Sequence, residues 1–178
     1  FKTNLSLAFR DKPWYPIGYV LPKEKDALVA DVRSRGAGRT NYWIAKPKGM
    51  YGGTGIQVWR GTDTGFANLV KESCAASAPR SVVQQYLTDP LLLGGYKFHM
   101  RIHLCITSLD PPEGFVQENG QCLFGTKPYT LSPKTLGTSF EPPVHLTNMG
   151  LNATEENRTN YLRKKAVIGP GQQLRVTP

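Results

Sequence analysis

The sequence predicts an α+β protein with two lobes, and three observations lead there. In the first half, short β-rich runs alternate with two helical segments around a glycine-dense loop. The second half carries antiparallel signals without further long helices. The composition, 39% apolar and 20% charged over 178 residues, is that of a globular chain able to bury a sizeable core.

Taken in order, residues 1–22 contain Pro13, Pro16 and Pro22 and are read as an incoming connection ending in the extended YPIGYVLP. KEKDALVADVRSRG follows as a helix stopped by Gly36 and Gly38. NYWIAKP is a short strand ended by Pro47, KGMYGGTG a flexible loop, and IQVW a return to strand. TDTGFANLVKESCAAS has Thr62 or Asp63 as N-cap and reads as a second helix. SVVQQYL is the next strand, and DPLLLGGY a turn. The ten residues KFHMRIHLCI alternate strictly and are expected to form one long strand. GFVQENGQCLF reads as a hairpin turning at Glu118-Asn119-Gly120, because Asn-Gly supports the positive φ values of a tight turn. Beyond Tyr129 the chain is rich in Pro and Ser up to VHLTNMGLN, and the last twenty residues are basic and polar with no closing core element. The domain reading is a connection over 1–22, a central lobe with the glycine flap over 23–90, and a partial second lobe over 91–178.

Net charge is +9, which suits an anionic partner such as a nucleotide, a nucleic acid or an acidic protein tail. Three cysteines, Cys74, Cys105 and Cys122, make no CxxC and leave an odd thiol, which favours a reducing compartment. No apolar run approaches the length of a transmembrane helix, so no membrane partner is expected. The start, FKTNLSLAF, has no initiator Met and reads as the interior of a longer protein. Asn4, Asn152 and Asn157 open Asn-X-Ser/Thr triplets, which occur too often by chance to carry weight.

Two stretches carry chemistry. On the strand KFHMRIHLCI, Lys97, His99, Arg101 and His103 share one face, roughly 7 Å apart, opposite Phe98, Met100, Ile102 and Leu104. Like charges at that spacing repel unless an anion lies over them, and Lys with Arg would grip a triphosphate; a solvent-facing strand is the equal alternative. Zinc held by His99, His103 and Cys105 is a weaker reading, since a flat strand spreads them too far for one tetrahedral site. In AKPKGMYGGTGI, Gly49, Gly52, Gly53 and Gly55 free the backbone to bend around phosphate oxygens. No Gly-Lys-Ser/Thr follows, and a strand comes next, so the loop is neither a P-loop nor a dinucleotide fingerprint but a flap. Lys46 stands just before it as a phosphate contact, and the backbone beside Gln84 and Gln85 could meet an adenine edge.

In order, YVLP, NYWIAKPKGMYGGTGI, VVQQYLTDPLLLGGYKFHMRIHLCITSLDP and VHLTNMGLN resemble the tubulin–tyrosine ligase-like family from about Tyr15 to Asn152. The resemblance implies an ATP-grasp fold, two α+β lobes with ATP held between them. It also implies an ATP-dependent ligase that joins an amino acid, of glutamate or tyrosine type, to a protein carboxylate through an acyl phosphate. The expected acceptor is an acidic tail, that of tubulin, in the cytoplasm on the cytoskeleton; nucleic acid is not the expected partner. By position, Lys46 with the glycines would contact phosphates, and Gln84, Gln85, Tyr86 and Leu87 would line the adenine. Lys97, His99 and Arg101 would serve the phosphate and acceptor region, and His145, Leu146, Thr147 and Asn148 would close the site.

Three departures from the family pattern qualify this. His99 stands where the family has Asp, and Leu123 where it has Arg, so an acid and a base are lost together. Magnesium is expected as cofactor, yet Glu155-Glu156-Asn157 imitates the family's late Glu-x-Asn ligands without the strand that should precede them. The chain is therefore expected to be catalytically incomplete. The alternative is a non-catalytic module of the same fold that binds a nucleotide, an acidic tail or RNA.

Overall fold

The computed structural model describes residues 2–75, 77–78, 80–152 and 166–168. Helices and antiparallel sheets are combined as an α+β fold, in two compact units. Residues up to Pro90 with Thr130–Pro142 form one unit, and Leu91–Tyr129 with the chain from Pro143 onward form the other.

The first unit is built on a four-stranded sheet in the order β1-β4-β2-β3: β1 (Gly18–Val20), β4 (Arg80–Gln85), β2 (Tyr42–Pro47) and β3 (Gln57–Arg60), all neighbours antiparallel. The period of two is visible in β2, where Trp43, Ala45 and Pro47 are buried and Tyr42, Ile44 and Lys46 are less so. Trp43, Ala45 and Val83 pack against Leu28 of α2 (Lys25–Arg35) and Phe66, Leu69 and Val70 of α3 (Thr64–Glu72). Trp43 stacks on Phe66 and lies under the Arg35 guanidinium, which Asp31 holds at 2.7 Å. Buried Asn41 joins these layers: its amide donates to the carbonyls of Val32 and Gly36 at the end of α2, and its Oδ1 accepts from the Trp43 indole. Residues 2–9, read from sequence as part of a connection, form helix α1 (Lys2–Phe9), which packs on β1 and β4. Asp63, one of the two expected caps, is the N-cap of α3 by position, but its side chain makes no capping bond.

In the second unit β5 (Leu92–Leu93) turns through Gly94 and Gly95 into β6 (Tyr96–Arg101), which pairs with β9 (Gly120–Phe124), itself paired with β10 (Ala166–Ile168). Both turn glycines have positive φ, 57° and 81°, as such a tight reversal needs. Two sequence expectations change here. The long strand over 97–106 breaks after Arg101: β7 (Leu104–Leu109) pairs with β8 (Pro112–Val116) as a separate two-stranded ribbon. The hairpin expected at Glu118-Asn119-Gly120 is absent, because β8 pairs back to β7 while β9 returns to β6. The ribbon is thus an excursion between two strands that pair with each other. Nor does the apolar side of 97–106 pack as alternation implied, since Met100, Ile102, Leu104 and Ile106 are all exposed. The closing region, expected to hold no core element, does supply β10. Glu155, Glu156 and Asn157 lie outside the described residues. No described helix is long and apolar enough to cross a membrane.

Candidate functional site

In the first unit the site residues gather at the end of β2. Register sets Ile44 opposite Gln84, so Lys46, two residues on, shares the Gln84 face, away from α2 and α3. The Lys46 ammonium donates to Gln84 Oε1 at 2.5 Å, and the Gln84 amide donates to the Pro16 carbonyl at 2.9 Å. Burial pushes the Lys46 pKa down, and repulsion from Lys2 pushes it further the same way. The Lys46 ammonium is thus partnered by a neutral amide, with Lys2 repelling it. Gln85 does not join this group: opposite Trp43, it belongs to the helix-facing side of β4. Past the strand end Tyr86 is buried and Leu87 is 60% exposed.

The loop after Lys46 holds Gly49, Gly52, Gly53 and Gly55 at φ of 71°, 63°, 92° and 71°. A Cβ at Gly49 or Gly52 would meet nothing within 4 Å, so glycine is needed there for the backbone conformation and not for space. A residue that sequence reasoning missed fixes this loop. Lys2, from α1, donates to the carbonyls of Pro47 and Met50 at 3.1 and 2.6 Å, and a 170 Å³ cavity lies beside it with Lys48 and Tyr51 in its wall. No local signal reveals such a contact, because 45 residues separate the partners.

In the second unit Lys97, His99 and Arg101 alternate along β6 as expected, while His103 and Cys105 leave with the ribbon. His103 pairs instead with Gln117, 3.0 Å away. Among the described residues no three His, Cys, Asp or Glu side chains group as metal ligands, so the zinc arrangement of His99, His103 and Cys105 does not form.

His99 Nδ1 lies 2.6 Å from the Thr147 hydroxyl, which joins β6 to the segment His145–Asn148. Burial, and then Arg101, lower the His99 pKa, favouring neutral imidazole. The register places His99 directly opposite Leu123, which is 1% exposed. The two departures noted in the sequence are therefore cross-strand neighbours.

Lys97 Nζ sits over the Tyr129 ring at 5.8 Å, and that ring meets His145 edge-on at 5.8 Å. His145 and Leu146 are buried, His145 at 1% exposure, so their side chains support the segment from below while Thr147 and Asn148 are half-exposed. Asn152, also missed in the sequence, organises this region. Its Oδ1 accepts from the Thr126 amide and hydroxyl, and its amide donates to the Leu146 and Asn148 carbonyls.

The tubulin-tyrosine ligase family model matches residues 2–169. The human probable tubulin polyglutamylase TTLL2 is 30% identical over 88% of this chain and 24% of its own length. The mouse tubulin polyglutamylase TTLL13 is 34% identical over 86% of the chain and 17% of its own length. The human tubulin monoglutamylase TTLL4 is 32% identical over 78% of the chain and 10% of its own length. The chain thus spans about a quarter or less of each of these relatives. With the flap, the Lys46–Gln84 contact and the His99–Thr147 link each on residues inside the matched range, the chain belongs to the tubulin-tyrosine ligase family.

Proposed function

We propose that the protein is part of an ATP-dependent ligase of ATP-grasp type that joins an amino acid to a carboxylate of an acidic protein tail, that of tubulin. The observation that carries this reading is Lys46, half-buried, held on Gln84 at the root of a loop whose glycines all have positive φ. ATP supplies the phosphoryl group that activates the acceptor carboxylate as an acyl phosphate, which the incoming amine then displaces. Lys46 takes up phosphate charge, and the loop backbone, fixed by Lys2, turns its amides to the phosphate oxygens. Tyr86 and Leu87 receive the adenine at the end of β4. Lys97 and Arg101 offer positive charge to the acyl phosphate or acceptor, and His99 positions Thr147. Among the described residues no three His, Cys, Asp or Glu side chains group together, and no step is assigned to magnesium.

The names of the relatives, tubulin polyglutamylases and a tubulin monoglutamylase, favour glutamate as the added amino acid and tubulin as its acceptor, which suits a cytoskeletal setting. The basic charge of the chain suits an acidic acceptor. Calorimetric titration with ATP should show binding that Lys46→Ala abolishes, and the intact protein should then transfer labelled glutamate to a tubulin-tail peptide. ATP binding indifferent to Lys46→Ala would refute the site.

A second reading rests on the His99–Leu123 pair, which replaces an acid and a base of the family pattern. On it, the protein binds nucleotide or an acidic tail without ligation. ATP binding with no incorporation of glutamate or tyrosine by the intact protein would select this reading.

A further inference from the structure

Helix α1 brings a second polar side chain to the Lys46 side of the sheet. Lys2 and Ser6 stand four residues apart on α1, which packs on β1 and β4, so they share one face of the helix. Lys2 grips the loop, whereas Ser6 grips nothing. Its residue is 1% exposed, and among the described residues its hydroxyl makes no hydrogen bond. A buried hydroxyl without a partner is destabilising, and alanine at that place would avoid the penalty. Gly18 shows what the hydroxyl faces. Register sets Gly18 of β1 beside Gln84 of β4, and a Cβ on Gly18 would lie 3.2 Å from Ser6 Oγ and 3.4 Å from Gln84 Cγ. The absent side chain leaves Ser6 and Gln84 bordering one shared space. Gln84, 5% exposed, is held at both ends: its amide donates to the Pro16 carbonyl, and its Oε1 accepts from Lys46. The Pro16 carbonyl is fixed backbone, but Lys46 is a flexible cation that a phosphate can draw away. Once it leaves, Oε1 is a buried acceptor in need of a donor.

We propose that Ser6 is a positioning residue that takes over Gln84 when Lys46 turns to phosphate. Its hydroxyl, re-aimed by rotation about χ1, donates to Oε1 in place of the ammonium, and Gln84 keeps its position against Pro16. The hydroxyl is idle while Lys46 holds Gln84 and bonded once Lys46 has left. Its stabilisation therefore falls on the liganded state, and this raises affinity for the ligand. What draws Lys46 away rests on the nucleotide reading; the handover between Lys46 and Ser6 does not.

The test takes Lys46 from Gln84 in two ways, by mutation and by ligand. In urea unfolding, Ser6→Ala should leave the parent at least as stable as before. In a Lys46→Met background, where Oε1 has already lost its ammonium, the same change should shrink the folding equilibrium constant roughly threefold to tenfold. Lys46→Ala gives the comparison in a second background. A residue that only fills space would not reverse its effect in this way. Calorimetric titration of the intact protein with ATP should show Ser6→Ala binding roughly threefold to tenfold more weakly. Gly18→Ala, which sets a methyl group between Ser6 and Gln84, should weaken ATP similarly, with thermal melts to check that it folds. The handover is overturned if Ser6→Ala has the same effect on stability in all backgrounds. It is also overturned if Ser6→Ala leaves ATP binding unchanged while Lys46→Ala abolishes it. If the parent itself does not bind ATP, the nucleotide reading fails, and the urea comparison alone decides the handover.

Discussion

Asn152→Ala removes four hydrogen bonds at once from a side chain fully shielded from water. The bonds run from 2.9 to 3.2 Å, and the Thr126 donors they satisfy belong to a buried residue. At a net ~0.5–1.5 kcal/mol each, with buried groups left unsatisfied, the loss should be about 3 kcal/mol. Asn152→Asp keeps the acceptor but turns a second carboxylate oxygen on the Leu146 and Asn148 carbonyls, so it should be no better at neutral pH. Urea unfolding gives the overall change. Amide exchange gives the local one: the Gly125 N–H, bonded to the Lys97 carbonyl at 2.8 Å and not to Asn152, should exchange about a hundredfold faster. A loss below about 1 kcal/mol, with Gly125 exchange unchanged, would refute the view that Asn152 holds the Thr147 segment to Thr126, just after β9.

Three further outcomes are expected. The His99 pKa lies below its ordinary 6.5 in the folded state, so below that pH the unfolded chain takes up the proton first. Stability should therefore fall as pH drops from 6.5 through the depressed value, and urea midpoints of His99→Gln should lack that component of the slope. Polyphosphate beside Lys46 should raise its lowered pKa, giving proton uptake on ATP binding at alkaline pH; calorimetry in two buffers of different ionisation enthalpy measures it, and Lys2→Gln should reduce it. Asn41→Ala orphans the buried Trp43 indole N–H and uncaps α2, costing about 2–4 kcal/mol, with a red shift of tryptophan emission as the companion signal.

What the sequence made legible was what depends on near neighbours. β-rich runs punctuated by Pro47 and the glycine loop located β2, β3 and β4, and glycine placed the end of α2, because strand composition and a positive φ are written into adjacent letters. Partner choice was not written there. KFHMRIHLCI alternates without a flaw, yet its first part pairs with β9 and its continuation with β8; the period of two says which side chains share a face, not which strand lies beside them. Helix α1 escaped notice because it is short and was read together with the prolines that follow it, and its stability comes from packing on β1 and β4. The motif near the end named His145 and Leu146 with Thr147 and Asn148, but a motif does not say which of its residues face inward, and the first two are buried. That His99 and Leu123 changed together was legible; that they touch the same spot in a sheet required the register.

The ribbon inserted between β6 and β9 has a consequence for how the chain reaches its fold. Pairing Arg101 with Gln121 requires closing the whole of residues 102–120, and closure entropy grows with the length left loose. The β7–β8 ribbon turns on itself over few residues, so closing it costs less entropy than closing 102–120 as one loose loop. Once paired, it brings the ends of β6 and β9 close, and the remaining closure is short. Leu104 beside Val116 and Cys105 beside Phe115 face one another along the ribbon and stay exposed in the finished unit.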